Sequence, residues 1–134
     1  SSDLKDSIKG FHILLVEDNE LNMEIAEFMI QNEGASVTKA WNGQEALERF
    51  EQSRTGEYDA ILMDVMMPVL NGYEATEKIR ALNREDAKKI PIIAMTANAF
   101  TEDRRRSKEA GMDGHIIKPI NIELLVKVVA ELVQ

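Results

Sequence analysis

Residues 58–80 read YDAILMDVMMPVLNGYEATEKIR, and the hydrophobic pattern changes once within this stretch. The first part, DAILM at 59–63, is a short apolar run that is followed directly by the carboxylate of Asp64. The second part begins at Asn71-Gly72 and places apolar residues three or four positions apart, as one face of a helix does. A strand that is apolar throughout suits a parallel sheet covered on both faces. The stretch therefore predicts a buried strand, a turn and a covering helix.

The same alternation between apolar runs and helical spacing continues along the whole chain. Predicted strands cover 11–16, 35–40, 59–63, 90–95 and 114–117. The apolar residues predicted to form the buried faces of five helices are Leu21, Ile25, Phe28 and Met29; Ala46, Leu47 and Phe50; Ala75, Ile79 and Leu82; a set within 99–110; and Ile122, Leu125, Val126, Val129 and Val133. The polar segments 53–57 and 83–89 are predicted to be connections. This order indicates an α/β domain with a doubly wound parallel sheet, in which the alternating run 35–40 suits an edge strand.

Length and composition limit the possible classes of protein. The chain has 134 residues, which suits one domain, and it contains no cysteine, so disulfides and thiolate metal sites are excluded. No apolar run approaches the roughly 18 residues that span a bilayer, and we expect a cytoplasmic domain without direct membrane contact. The polar segment 1–9 is expected to be a linker or an expression remnant, because the chain starts at Ser1 without an initiator methionine.

Charge argues against nucleic acid as a partner of this domain. The net charge is −8, with −10 in residues 1–76 and +2 in residues 77–134. A phosphate backbone repels such a chain unless a basic patch dominates locally. The basic run at 104–108 lies in a predicted helix beside acidic residues, which favours a solvated, salt-bridged face.

Polar residues follow the predicted strands at one edge of the sheet. Glu17 and Asp18 end the first strand, Asp64 the third, Thr96 the fourth and Lys118 the fifth. The carboxyl ends of parallel strands meet at the same edge, where ligands of such sheets bind. Three carboxylates held close together repel one another unless a proton or a cation intervenes, and oxygen ligands favour Mg²⁺. The pattern predicts a magnesium site with a lysine and a hydroxyl ready for a phosphoryl group, which is the apparatus of phosphoryl transfer.

Each of these residues also has an ordinary structural interpretation. Glu17 and Asp18 could cap the following helix, Thr96 could cap the next one, and Lys118 could be an exposed loop lysine. Asp64 is harder to explain, because a carboxylate at the end of an apolar strand needs a partner. The order and spacing of all five residues together favour the site.

Five segments resemble one known family, the receiver domains of two-component response regulators, and particularly those of hybrid sensor histidine kinases. The segments are LLVEDNELN at 14–22, AWNGQEAL at 40–47, the stretch at 58–80, PIIAMTANAF at 91–100 and GMDGHIIKPI at 111–120. The resemblance covers about residues 10–133, and we take 10–134 as the receiver domain. It implies a flavodoxin-like five-stranded parallel sheet of order 2-1-3-4-5 with five helices on its two faces.

The resemblance also implies a role for each site residue. Asp64 would accept the phosphoryl group as an acyl phosphate. Asp18, Asp64 and the backbone carbonyl of Met66 would bind Mg²⁺, with Glu17 acting mainly through metal-bound water. Thr96 would donate its hydroxyl to the phosphoryl group, and Lys118 would pair with it.

Further positions would tune or transmit the signal. Ala97 is small enough to admit a donor, and the peptide bond before Pro119 is usually cis in the family. Met66 and Asn98 occupy positions that modulate the lifetime of the phosphoryl group. His115 stands where the family commonly has a switching Phe or Tyr, so it is either a smaller switch or a half-exposed strand residue.

The expected partner is a histidine kinase or a histidine phosphotransfer domain, which would dock near residues 19–23, and we expect a monomer or a weak dimer. The domain alone would catalyse its own phosphorylation and at most its own dephosphorylation, although the parent chain could be a histidine kinase. A stand-alone response regulator is the main alternative. Three other functions fit the sequence less well. An aspartyl-phosphate phosphatase would need a second acid at position 66, where this chain has Met66, and a nucleotide- or flavin-binding domain would need a glycine-rich loop after the first strand. A degenerate interaction module would not need the five site residues, which are all intact.

Overall fold

The computed structural model describes residues 6–67, 69–97 and 101–133. The strands are β1 (His12–Val16), β2 (Ser36–Ala40), β3 (Ala60–Asp64), β4 (Ile92–Thr96) and β5 (Gly114–Ile117). The helices are α1 (Glu20–Asn32), α2 (Gly43–Gln52), α3 (Gly72–Arg80), α4 (Glu85–Lys89), α5 (Thr101–Ala110) and α6 (Ile122–Val133). The strands form one parallel sheet of order β2-β1-β3-β4-β5, which confirms the predicted fold and places the alternating strand β2 at an edge.

The strands are apolar throughout because both faces of the sheet are buried. Along β1, Leu14 points into one apolar cluster with α2 and α3, and Leu15 points into a second cluster with α1 and α6. Both side chains are fully buried. Side chains that alternate along a strand must therefore all be apolar, as in other sheets with helices on both faces.

The described residues form six helices, so the prediction of five was wrong by one. The additional helix is α4, which lies in the polar segment 83–89 that was predicted to be a connection. Ala87 is its single buried residue, and Lys89 pairs with Glu85 one turn earlier at 2.8 Å. One helical turn with one buried side chain is too short to produce a recognisable hydrophobic period.

Helix α1 buries a different face from the one predicted. Met23, Ala26 and Ile30 pack against the sheet, whereas Leu21 and Phe28 are 63% and 69% exposed. Both sets are spaced three or four residues apart, so periodicity alone did not distinguish them. The expectation that Leu21, Ile25 and Phe28 form the buried face was therefore wrong, and an apolar stripe remains exposed on this helix.

The segment before β1 takes part in the core. Ile8 is fully buried beside Ile13 and Ile30, and the N–H of Gly10 donates to the carbonyl of Gly34 at 2.9 Å. Ile8 lies within the nine residues that were expected to be a linker. The folded unit therefore includes at least this part of the segment.

Close packing between β3 and α3 fixes the end of β3. Asn71 caps α3 by accepting from the N–H of Glu74 at 2.9 Å, and the Glu74 side chain accepts from the N–H of Asn71 in return. Gly72 follows, and a Cβ at this position would collide with the backbone oxygen of Asp64. Only glycine lets the start of α3 approach the site residue so closely. Within the part of the chain that the structure describes, no helix is long and apolar enough to cross a membrane.

Candidate functional site

The predicted site residues lie at the carboxyl edge of the sheet. Glu17 directly follows β1, Asp64 and Thr96 end β3 and β4, and Lys118 directly follows β5. Strands β1, β3, β4 and β5 are neighbours in that order, so residues from four distant parts of the sequence meet at one edge.

Three carboxylates form the acidic part of the site. Glu17, Asp18 and Asp64 each place a carboxylate oxygen within 4.8 Å of the others. Glu17 and Asp64 are buried, with 2% and 3% of their surfaces exposed, whereas Asp18 is open to solvent. Carboxylates at this distance in a buried setting repel one another unless they share a proton or a cation.

Lys118 supplies a positive charge to the two buried carboxylates. Its ammonium donates to Glu17 Oε1 at 2.9 Å, to Glu17 Oε2 at 3.3 Å and to Asp64 Oδ2 at 3.0 Å. Two acids and one base leave the cluster net negative, and the exposed Asp18 adds a further negative charge. With all three carboxylates ionised and one ammonium beside them, the cluster carries a net charge of −2, which one divalent ion would neutralise.

The electrostatics of the site affect Glu17 most strongly. Burial, followed by the hydrogen bond with Asp64, raises the pKa of Glu17 to about 7, although Lys118 acts in the opposite direction. Burial alone would lower the pKa of Lys118, but its hydrogen bonds with Glu17 and Asp64 outweigh this effect and raise it. A carboxylate that holds its proton near neutral pH shows how strongly the cluster resists further negative charge.

Backbone contacts orient the nucleophilic candidate and the lysine. The N–H of Met66 donates to Asp64 Oδ1 at 3.1 Å, which leaves Oδ2 for Lys118. The N–H of Lys118 donates to the carbonyl of Thr96 at 2.8 Å and fixes the turn after β5 to the end of β4. The peptide bond between Lys118 and Pro119 is cis, as the resemblance implied.

The donor set fits Mg²⁺. The cluster offers carboxylate oxygens from Glu17, Asp18 and Asp64, and hard oxygen ligands are those that Mg²⁺ prefers. The exposure of Asp18 leaves one side of the cluster open, and Mg²⁺ usually keeps several water ligands in protein sites.

Comparison with known families agrees with this geometry. A family model described as the response regulator receiver domain matches residues 13–130, which include every predicted site residue. The chain belongs to the response regulator receiver domains. These are domains of two-component signalling, so the resemblance noted in the five segments is confirmed.

Relatives of this receiver domain include parts of hybrid kinases. It is 39% identical over 119 residues to hybrid signal transduction histidine kinase I of Dictyostelium discoideum. The match covers 87% of this chain but only 7% of that kinase. It is also 33% identical to histidine kinase 1 of Arabidopsis thaliana, of which it spans 13%. The chain is thus far shorter than these kinases.

Solved receiver domains share the fold closely. The receiver domain of a Pseudomonas aeruginosa sensor histidine kinase, PA1611, is 42% identical, with a TM-score of 0.82 over 92% of this chain and 98% of that one. That structure holds a magnesium ion in its active site cleft. The receiver domain of Saccharomyces cerevisiae Ssk1, solved with the histidine phosphotransfer protein Ypd1, is 30% identical, with a TM-score of 0.82 over 92% of this chain and 89% of that one.

The structure describes four of the five remaining predicted positions of this receiver domain, Met66, Ala97, His115 and Pro119. Ala97 and Pro119 are exposed beside the site, and Met66 presents its side chain to solvent. His115 is half-buried, and burial, together with the charge of Arg104, lowers its pKa. Asn98 lies outside the described residues.

A groove beside the site was not predicted from the sequence. It has a volume of about 370 Å³ and runs between α1 and the turn after β5, lined by Glu17, Asn22, Ile25, Ala26, Met95, Lys118, Pro119 and Ile120. Glu17 and Lys118 therefore line both the acidic cluster and the groove. The sequence signal for this groove was the set of apolar residues on α1 that includes Ile25, but that set was predicted to face the core.

Proposed function

We propose that Asp64 accepts a phosphoryl group from a phosphohistidine of a histidine kinase or a histidine phosphotransfer domain. An Asp64 oxygen would attack phosphorus in line, the bond from phosphorus to the histidine nitrogen would break, and the imidazole would leave with its electron pair. The observation that supports this role most directly is the burial of the Asp64 carboxylate between the N–H of Met66 and the ammonium of Lys118.

The neighbouring residues suit the stages of this reaction. Mg²⁺, bound by Asp18, Asp64 and the Met66 carbonyl, would neutralise charge that develops on the phosphoryl oxygens. Lys118 already lies at hydrogen-bond distance from Asp64, so its ammonium would turn to the new phosphoryl group. Thr96, at the end of the adjacent strand, would donate its hydroxyl to a second phosphoryl oxygen, and Glu17 would orient metal-bound water.

The exposed stripe on α1 and the groove beside it would bind the donor domain. Leu21, Ile25 and Phe28 lie one helical turn apart and are largely exposed, and Ile25 also lines the groove that reaches Lys118. Exposed apolar patches of this kind commonly mark protein interfaces. A helical domain that carries a phosphohistidine could pack on this stripe and bring the phosphoryl group to the groove. The Ssk1 receiver domain, which resembles this chain, was solved in complex with such a phosphotransfer protein.

The parent protein would be a hybrid sensor histidine kinase, because three of its relatives, the kinases I, L and M of Dictyostelium discoideum, are hybrid kinases. This domain would lie in the cytoplasm. Phosphorylation would shift the equilibrium between two conformations of the surface formed by α5, β5 and α6. These elements are the predicted fourth helix, fifth strand and fifth helix. His115 lies on this surface and would respond to the inward movement of Thr96.

Incubation with acetyl phosphate and Mg²⁺, followed by intact-mass measurement, tests the acceptor role. We expect one added phosphoryl group that requires Mg²⁺ and disappears in Asp64→Asn. Asp59→Asn is the matched control, because it makes the same isosteric change beside the opposite end of β3, where Asp59 accepts from the N–H of His12 at 2.8 Å. Equal phosphorylation of the Asp64→Asn variant would exclude Asp64 as the acceptor.

A further inference from the structure

One methionine differs from all others in its exposure. The structure describes all seven methionines of the chain, and Met66 is 76% exposed. Met29 is half-buried, and the other five, Met23, Met63, Met67, Met95 and Met112, are buried, with at most 8% of their surfaces exposed. Thioether oxidation follows exposure, because a buried sulfur must wait for local opening of the fold. An oxidant in solution therefore meets the Met66 sulfur first.

Met66 is also joined to the site by its backbone. It lies two residues after Asp64, and its N–H donates to Asp64 Oδ1 at 3.1 Å. The neighbouring Met67 is buried, so the exposed sulfur is confined to the residue that contacts the acceptor carboxylate. The chain contains no cysteine, and thioethers are therefore its only sulfur groups.

We propose that Met66 is a site of reversible oxidation by hydrogen peroxide and that its sulfoxide shortens the life of the phosphorylated state. The sulfur lone pair attacks one peroxide oxygen, the O–O bond breaks, and an S–O bond forms. The thioether loses two electrons, and the peroxide is reduced to water. Methionine sulfoxide reductases reverse the reaction.

The effect on the phosphorylated state rests on the proposed function. A thioether is a weak acceptor and barely orders water, whereas a sulfoxide oxygen is a strong acceptor, so oxidation adds a water-binding group to the residue whose N–H bonds Asp64. Hydrolysis of an acyl phosphate needs a water molecule positioned near phosphorus. Oxidation of Met66 should therefore speed the loss of the phosphoryl group without altering the fold, because the side chain packs against little else.

The modification itself can be tested without phosphorylation. The protein is labelled with ¹³C-methyl methionine and titrated with hydrogen peroxide while its methyl resonances are followed by NMR. We expect the Met66 resonance, assigned by its absence in Met66→Leu, to be lost first and to return with sulfoxide reductase. Met67→Leu is the matched control and should keep the sensitive resonance. Simultaneous loss of several methionine resonances, or earlier loss of Met29, would overturn the proposal.

The regulatory consequence is measured as the decay of acyl phosphate before and after peroxide treatment of each variant. Peroxide treatment should raise the decay rate at least about threefold for the unmodified sequence and for Met67→Leu. It should leave the decay rate of Met66→Leu unchanged. Met66→Gln, which carries a permanent amide acceptor, should not respond to peroxide. Acyl phosphate that forms normally but decays equally in both states would overturn the regulatory role alone. Absence of any acyl phosphate would instead contradict the proposed function, while the NMR result would still decide the oxidation site.

Discussion

The ammonium of Lys118 lies 3.0 Å from Oδ2 of Asp64, although 54 residues separate them in the sequence. The same ammonium lies 2.9 Å from Oε1 of Glu17. A single cation therefore holds two buried carboxylates together. It must release part of this contact when a phosphoryl group joins the cluster, because its three N–H donors are then shared with the phosphoryl oxygens. A divalent ion would instead compete with the ammonium for the carboxylate oxygens.

Replacing Lys118 with methionine should separate metal binding from phosphorylation. We expect phosphoryl incorporation from acetyl phosphate to fall at least about tenfold, because a donor to the transferred group is lost. Mg²⁺ affinity at pH 8, measured by calorimetry, should stay within about threefold or increase, since a competing cation is removed. Lys127→Met, a change at an exposed lysine of α6, serves as the control. Equal losses of both properties would show that Lys118 acts only by holding the acids in place.

Mg²⁺ affinity should depend on pH through Glu17. The pKa of Glu17 is raised to about 7, so its proton competes with the metal below neutrality. Affinity should increase about tenfold from pH 6 to pH 8 and then level off. Titration calorimetry in matched buffers checks this, and Glu17→Gln should flatten the profile. A profile unchanged by this substitution would place the titrating proton elsewhere.

The same raised pKa sets the sign of a stability change in the metal-free protein. A group that binds its proton more tightly when folded stabilises the fold below its unfolded pKa, which is 4.5 for Glu17. That contribution is lost as pH rises through about 7. Without Mg²⁺, we expect the Glu17→Gln variant to lose less stability than the unmodified sequence between pH 5 and pH 8 in urea titrations. The opposite order would contradict the assignment.

The α1 stripe should matter for a protein donor and not for a small one. In Leu21→Ser/Phe28→Ser, transfer from a phosphorylated histidine phosphotransfer domain should slow at least about tenfold, since exposed apolar anchors often dominate binding energy. Phosphorylation by acetyl phosphate should be unaffected. Leu124→Ser removes an apolar residue that is 48% exposed on α6 and is the control. Equal slowing with both donors would place the effect in the site itself.

Ile8 should contribute to stability as a core residue does. Ile8→Ala should lower the free energy of unfolding by about 2–5 kcal/mol, because it leaves a cavity among fully buried neighbours. Leu124→Ala, at an exposed position, should cost less than about 1 kcal/mol. Chemical denaturation followed by circular dichroism measures both. A small cost for Ile8→Ala would show that the segment before β1 is dispensable.

Sequence patterns predicted the sheet well because its strands are buried on both faces. Each strand was placed to within two residues. A run such as ILLV or AILM is apolar because both of its faces are buried, whichever helices cover them. The site edge followed from the same topology. Helix α1 was misread because two apolar sets on it share one spacing, and only tertiary packing decides which set faces the sheet.

The details of the site depend on contacts that no local pattern contains. The sequence placed Glu17, Asp64 and Lys118 at one edge, but their shared hydrogen bonds result from side-chain reach in the folded protein. Burial of Ile8 was missed because one apolar residue in a polar segment has no period. The sequence carried no signal for the exposure of Met66, because two adjacent methionines do not show which one is buried.

The position of Lys118 after the last strand has a consequence for the nascent chain. Because synthesis proceeds from the amino terminus, the two strands that carry Glu17 and Asp64 leave the ribosome well before β5. Strand β5 is the edge strand and pairs with β4 alone, so Lys118 reaches Glu17 and Asp64 only when both β4 and β5 have joined the sheet. Until then the two acids lack the lysine that bridges them in the folded protein. The cluster of Glu17, Asp64 and Lys118 is thus completed only when the chain has folded as far as Lys118.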